Sequence, residues 1–341
     1  MSAFEDSPRA VRIGLCLTAC STVLLELLLT RLFSVTAGYH FAFMIVSVAM
    51  FGMTVGALAT MILVPPDDEH TRRALIFNAY AFALSVVSVF VLYGLTSHLL
   101  LSLHQFVWVT VSFLLFAVPF YFSGVCTCLC LSRFRDVGKL YGADLFGAAF
   151  SCLLVIGGLT VANIELLFSA SAAMAAAAGF CFAKWQGVKL SRQALIIRIL
   201  LIVVCMDAVW LPSPIESAGV KADIEAVRWS PIGRVIVEPF RGEVLTWAKI
   251  PHKAVFPLDQ KVFCIDYQTY SVMLSGAATP DQLELVKNDI TAAGNILRPN
   301  GSMLVVGAGG GKDVLTGLLY SQKQIDSVEL NPVVVSMLRN D

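Results

Sequence analysis

The sequence predicts a polytopic α-helical membrane domain followed by a small β subdomain and the start of an α/β domain. Of its 341 residues 57% are hydrophobic and 14% charged, against roughly a quarter charged in an ordinary soluble domain, and the mean hydropathy is +0.77. Apolar stretches long enough to cross a bilayer recur through the first two thirds of the chain. Beyond Leu211-Pro-Ser-Pro214 the composition changes abruptly to segments punctuated by Pro, Gly and charge, which is a linker and domain signal.

A hydrocarbon core of about 30 Å needs about 20 apolar residues per helix. Such stretches lie near 11–37, 40–64, 74–96, 105–131, 141–162 and 164–183. A shorter seventh, 194–211, carries Arg198 and Asp207, and those charges favour a segment that does not span. Charges ahead of the first stretch (Glu5, Asp6, Arg9, Arg12), with no small-residue cleavage site after a short core, predict a retained first helix. Arg9 and Arg12 precede it, Arg72 and Arg73 follow the second stretch, Arg133, Arg135 and Lys139 the fourth, and Lys184, Lys189 and Arg192 the sixth. The alternate connections near 38–39, 97–104 and 163 have no Lys or Arg. By the positive-inside rule this places the N-terminus in the cytoplasm. A spanning seventh segment would put everything beyond Leu211 on the other side.

Cys16, Cys20, Cys126, Cys128, Cys130, Cys152 and Cys205 sit inside apolar runs, where Cys acts as a small hydrophobe. The every-second-residue spacing of Cys126, Cys128 and Cys130 matches neither a zinc nor a redox pair, so no metal is expected. With 24 basic and 24 acidic residues the chain has no field to recruit nucleic acid.

After the linker, Arg234–Val237 and Lys261–Asp266 read as short strands of a β subdomain over 212–280. Pro280-Asp281 opens a helical stretch to about Leu297, ended by Arg298-Pro-Asn-Gly301. Ser302–Val306 is short, continuously apolar and β-branched, as a strand buried on both faces should be. It leads into Gly307-Ala-Gly309-Gly310-Gly311, then a helix from Lys312 to Ser321 and a second strand, Ile325–Leu330. Strand, glycine turn, helix, strand is the start of a Rossmann-like, methyltransferase-like domain over 281–341. Glycines let the backbone approach a ligand, and the helix N-terminus offers free N–H groups. Glu329, at the strand end, is placed for both hydroxyls of a ribose, the bland alternative being a surface Glu. Asp313 either complements the helix dipole or meets a cationic amine of the ligand. A dinucleotide fingerprint needs glycine where Lys312 stands, which disfavours NAD and FAD.

The chain resembles the membrane-embedded spermidine-synthase-like proteins, which join a multi-helix region to an aminopropyltransferase-type Rossmann domain. The marks are Glu26-Leu-Leu-Leu-Thr-Arg-Leu-Phe-Ser34, Tyr39-His-Phe-Ala-Phe43, Lys139-Leu-Tyr-Gly-Ala-Asp-Leu-Phe-Gly-Ala148 and Trp229-Ser-Pro-Ile-Gly-Arg-Val235. Val306-Gly-Ala-Gly-Gly-Gly-Lys-Asp313 and Val328-Glu-Leu-Asn-Pro332 resemble the family's ligand loop and ribose acid. The resemblance implies binding of S-adenosylmethionine or decarboxylated S-adenosylmethionine at Gly307, Gly309, Gly310, Gly311, Asp313 and Glu329. It further implies transfer of an aminopropyl group to an amine or polyamine, and residence in a bacterial inner membrane. The Tyr-His-Glu stretch of the soluble enzymes is missing from Gln282–Ile290. Between Met303 and Asp341 there is room for two strands and two helices, whereas a doubly wound sheet uses roughly five to seven strands. The domain is therefore expected to be C-terminally truncated, without catalytic residues and inactive as it stands.

Glu26, Arg31, Asn78, Asp144, Glu165 and Arg198 lie in or near apolar spans, where each charge costs about 2.5–3.5 kcal/mol on insertion scales. Glu26 and Arg31 are about 140° apart round a helix, so a basic residue of another helix is the expected partner of Glu26. Tyr39-His40 is expected at an outer interface. These residues serve either as glue between helices or as a path for a polyamine or small cation. The rival readings to an adenosyl-binding enzyme are therefore a transporter, a membrane-anchored binding protein or a non-functional fragment.

Overall fold

The computed structural model describes residues 4, 7–101, 105–186, 224–242, 258–266, 269–274 and 280–340. The segment 194–211 and the linker at 211–214 lie outside the described residues. The chain divides into two compact units, Met1–Val220 and Lys221–Asp341.

The first unit is built of α1 (Arg9–Thr36), α2 (Tyr39–Leu63), α3 (Asp68–Leu101), α4 (Gln105–Arg133), α5 (Val137–Val161) and α6 (Ile164–Gln186). All six are long and apolar enough to cross a membrane. Helix α3 begins before its apolar stretch. Asp67 accepts the His70 N–H at 2.8 Å, and Asp68 and Glu69 occupy the first turn, where the dipole favours acids.

Apolar helices gain little from leaving lipid for one another, so close backbone approach and hydroxyl bonds hold them. A Cβ on Gly52 would stand 2.5 Å from the Ala117 carbonyl oxygen, one on Gly56 2.2 Å from that of Tyr121, and one on Gly124 2.5 Å from that of Met53. Helices α2 and α4 thus meet backbone to backbone. Gly147 does the same for α5 on α1, its Cβ position being 2.1 Å from the Cys16 carbonyl oxygen. The hydroxyls of Ser21 and Ser171 join α1 to α6 at 3.0 Å, and Thr22 bonds Ser123 of α4.

One end of the bundle is closed by an aromatic and ionic clasp. The Phe4 N–H donates to the Arg133 carbonyl at 2.9 Å and the Arg135 N–H to that of Phe4 at 3.1 Å. The Phe4 ring lies on Phe134 and against Trp185, and the Arg72 guanidinium stands 4.3 Å from the Trp185 ring centre. Burial alone would raise the Asp136 carboxyl, but hydrogen bonds from the Ser7 hydroxyl and amide hold it below its ordinary value. This clasp brings the segment before α1, the first turns of α3, the α4–α5 connection and the last turn of α6 together at one end.

The second unit opens with an antiparallel meander, β1 (Ala226–Trp229), β2 (Arg234–Gly242), β3 (Leu258–Ile265) and β4 (Thr269–Leu274). Two of these strands are longer than their apolar cores, and β1 and β4 add to them. The stretch from Pro280 is not one helix. It breaks into α7 (Pro280–Lys287), a 3-10 turn (Ile290–Ala292) and α8 (Ala293–Leu297), because the Asp289 side chain accepts the Thr291 N–H at 3.0 Å and starts the backbone afresh. Then come β5 (Ser302–Val306), α9 (Lys312–Leu319), β6 (Gln324–Val328) and α10 (Pro332–Asn340). Strands β5 and β6 pair in parallel. One face of the pair meets α9 at Gly317, whose Cβ position is 2.9 Å from Ile325 and Met303 atoms. The other face carries Leu304, Val306, Val328 and Leu330 at 55–79% exposure. Helix α10 packs Val334 and Met337 onto Val235, Val237 and Phe263 of the meander.

Gly147→Val should lower the thermal unfolding midpoint of the detergent-purified protein, by the about 1–3 kcal/mol of an overpacked core. Gly142→Val, on the same helix with no described atom near its Cβ position, should leave the midpoint unchanged. Equal midpoints for the two would refute the proposed α1–α5 approach.

Candidate ligand-binding site

The glycine turn sits between β5 and α9 and is shaped by its backbone. Gly307, Gly309 and Gly311 have φ of 76°, 49° and 84°, in the left-handed region where a side chain is strained. The Gly307 N–H donates to the Val328 carbonyl at 2.8 Å, tying the end of β5 to the end of β6. Gly309 and Gly310 also face a neighbour. A Cβ on Gly309 would stand 2.3 Å from Ser271 Oγ, and one on Gly310 2.5 Å from the Val272 carbonyl oxygen. The Gly310 N–H donates to Ser271 Oγ at 2.8 Å. Two of the glycines therefore serve the approach of β4.

Glu329 lies one residue beyond β6, which ends at Val328. Its Oε2 accepts the Gly309 N–H at 3.0 Å and its Oε1 the Asn331 N–H at 2.8 Å. The carboxylate thus bridges the turn and the start of α10, and each oxygen keeps a lone pair for a further donor. Asp313, in the first turn of α9, has its Oδ1 buried with no hydrogen-bond partner.

These groups converge on a cavity of about 920 Å³, walled by Gly307, Ala308, Gly309, Lys312, Asp313 and Glu329 on one side and by the meander on the other. The meander contributes Glu238, Phe240, Tyr270 and Ser271 among others. Burial raises the Glu238 carboxyl, with the Arg234 charge opposing, and its Oε1 is buried without a partner. Of the six residues singled out from the sequence, Gly307, Gly309, Asp313 and Glu329 line this cavity. Gly310 and Gly311 shape the turn behind it. Glu238, Ser271 and Asp289 escaped the sequence reading. The alternation of Tyr270-Ser-Val-Met was the available sign of β4, and Asp289-Ile-Thr291 that of a capped turn.

Among the described residues no group of three His, Cys, Asp or Glu is placed to hold a metal ion. No family model, curated protein or solved structure matches the chain.

The raised Glu238 carboxyl means that the folded unit binds its proton more tightly than the unfolded chain does. Its stabilising contribution is full below the ordinary glutamate value of 4.5 and is lost as pH rises through the raised value. Midpoints of unfolding measured across that range should therefore fall with pH more steeply for the native protein than for Glu238→Gln; parallel curves would show that burial does not perturb this carboxyl. Gly310→Ala, which drives a Cβ into the Val272 backbone, should destabilise the second unit by about 1–3 kcal/mol.

Proposed function

We propose that the unit Lys221–Asp341 binds an adenosyl ligand of the S-adenosylmethionine type, either S-adenosylmethionine or its decarboxylated form, in the cavity at the glycine turn. On this reading the chain is a membrane protein of the spermidine-synthase-like kind, with its N-terminus in the cytoplasm of a bacterial cell. One observation carries the reading: a glycine turn between parallel strands, the carboxylate after the second strand and an unpartnered acid in the first helical turn all open on one cavity. Glu329 is the group for the ribose hydroxyls, its free lone pairs serving as acceptors. Asp313 Oδ1 is the group for the cationic end of the ligand. Phe240 and Tyr270 offer aromatic faces for a base.

The associated reaction is aminopropyl transfer. An amine nitrogen forms a bond to the methylene carbon beside the sulfonium, the carbon–sulfur bond breaks, sulfur leaves as a neutral thioether and the product ammonium gives up a proton. No residue among those described is assigned to activate the amine.

Equilibrium binding of radiolabelled S-adenosylmethionine and decarboxylated S-adenosylmethionine to the detergent-purified protein tests this directly. At least one should bind, and Asp313→Asn should weaken it by about 10- to 100-fold, the worth of a hydrogen bond to a charged group. Glu329→Ala should abolish binding, removing both a ribose acceptor and the brace of the turn. Unchanged affinity in both variants would mean that the ligand sits elsewhere.

A further inference from the structure

Lys312 is the only basic side chain among the described residues that line the cavity, yet it is not a bare cation there. Its Nζ donates to Asp289 Oδ2 at 2.7 Å, with the Lys312 side chain 13% exposed and that of Asp289 0%. The second Asp289 oxygen takes the Thr291 N–H, so the start of the 3-10 turn fixes the carboxylate behind the cavity wall. Three carboxylates line the cavity itself, those of Glu238, Asp313 and Glu329, and the first two each have a buried oxygen without a partner. At such partly buried positions charges are weakly screened, and the sum over the wall decides which ligand charge is welcome.

We infer that Asp289 determines ligand specificity: by neutralising Lys312 from behind, it sets the cavity to take a cationic adenosyl ligand without a carboxylate and to reject the carboxylate-bearing one. This rests on the adenosyl reading above and chooses decarboxylated S-adenosylmethionine over S-adenosylmethionine. An unpaired Lys312 would be a partner for the amino-acid carboxylate. Paired, it leaves a wall whose net charge is negative, and the orphaned Glu238 and Asp313 oxygens accept from an ammonium, which has donors and no acceptor. Asp289 does not line the cavity and acts through Lys312, so it is a positioning residue.

The experiment measures dissociation constants of both ligands for the full chain in lipid nanodiscs. The native protein should favour the decarboxylated ligand by about tenfold or more, and Asp289→Asn should move the ratio at least about tenfold toward S-adenosylmethionine. Adding Lys312→Met to Asp289→Asn should restore the native ratio, a rescue that a merely structural role for Asp289 does not give. Removing one partner of a buried pair is strongly destabilising, so thermal unfolding accompanies each variant. Should Asp289→Asn not fold, the double variant of Asp289→Asn with Lys312→Met, which removes both charges of the pair together, decides. It should leave S-adenosylmethionine affinity unchanged, and a tenfold loss would show that Lys312 meets the carboxylate and overturn the inference. Ligands that bind with one ratio in every variant would also overturn it while leaving the adenosyl reading intact. Failure of both ligands to bind the native protein would overturn that reading and this inference together.

Discussion

The hydrogen bond from the Gly310 N–H to Ser271 Oγ joins the glycine turn to β4, and it forms only because neither Gly309 nor Gly310 carries a Cβ. The cavity exists because of that approach. With the turn against Ser271 and Val272, the end of β5 faces the meander, and Glu238, Phe240 and Tyr270 come opposite Asp313 and Glu329. The Glu329 carboxylate then locks the turn from its other side through the Gly309 amide. A side chain at either glycine would push the two walls apart, and the acids would no longer share one space. The glycine richness of 307–311 therefore answers two demands, backbone conformation at Gly307, Gly309 and Gly311 and proximity at Gly309 and Gly310.

Much of this was legible in the sequence where the signal is local. Six apolar stretches became six helices, because length and hydropathy alone fix a helix that must satisfy its backbone away from water. The order strand, glycine turn, helix and strand followed from the β-branched run at 302–306 and the glycines after it. What escaped depends on contacts distant in sequence. Nothing near Ser271 signals a partner 39 residues on, and Glu238 reads as an ordinary polar residue on a strand until burial is known. The break at Asp289 has a local cause, a side chain that caps the next turn, inside a stretch whose start and stop signals read as one helix. The ion pair expected for Glu26 is not formed among the described residues, while Asn78 bonds the Ala74 carbonyl of its own helix.

Both units bury polar groups, and they differ in where those groups face. In the helical unit serine and threonine hydroxyls bond backbone carbonyls or one another, as at Thr18, Ser21 and Thr22, while the Ser112 hydroxyl is buried without a partner. In the second unit Asp313 and Glu238 each keep a buried oxygen without a partner, and both residues line the cavity. A buried polar atom left unpaired costs about 1–3 kcal/mol. Such a cost recurs where a ligand supplies the missing bond.

The wet face of the β5–β6 pair has a consequence for the order in which the second unit loosens. Strand β2 is buried on both sides from Arg234 to Val237, so its amides exchange with solvent only when the meander itself opens. Among the described residues the β5–β6 ladder has an apolar cover on one side, from α9, and an exposed apolar face on the other. Fewer buried apolar contacts favour opening of this ladder ahead of the meander, so amides of β5 and β6 should exchange faster than those of β2. The glycine turn hangs from that ladder through the Gly307 amide, so a ligand that contacts the turn also braces the strands from which it hangs.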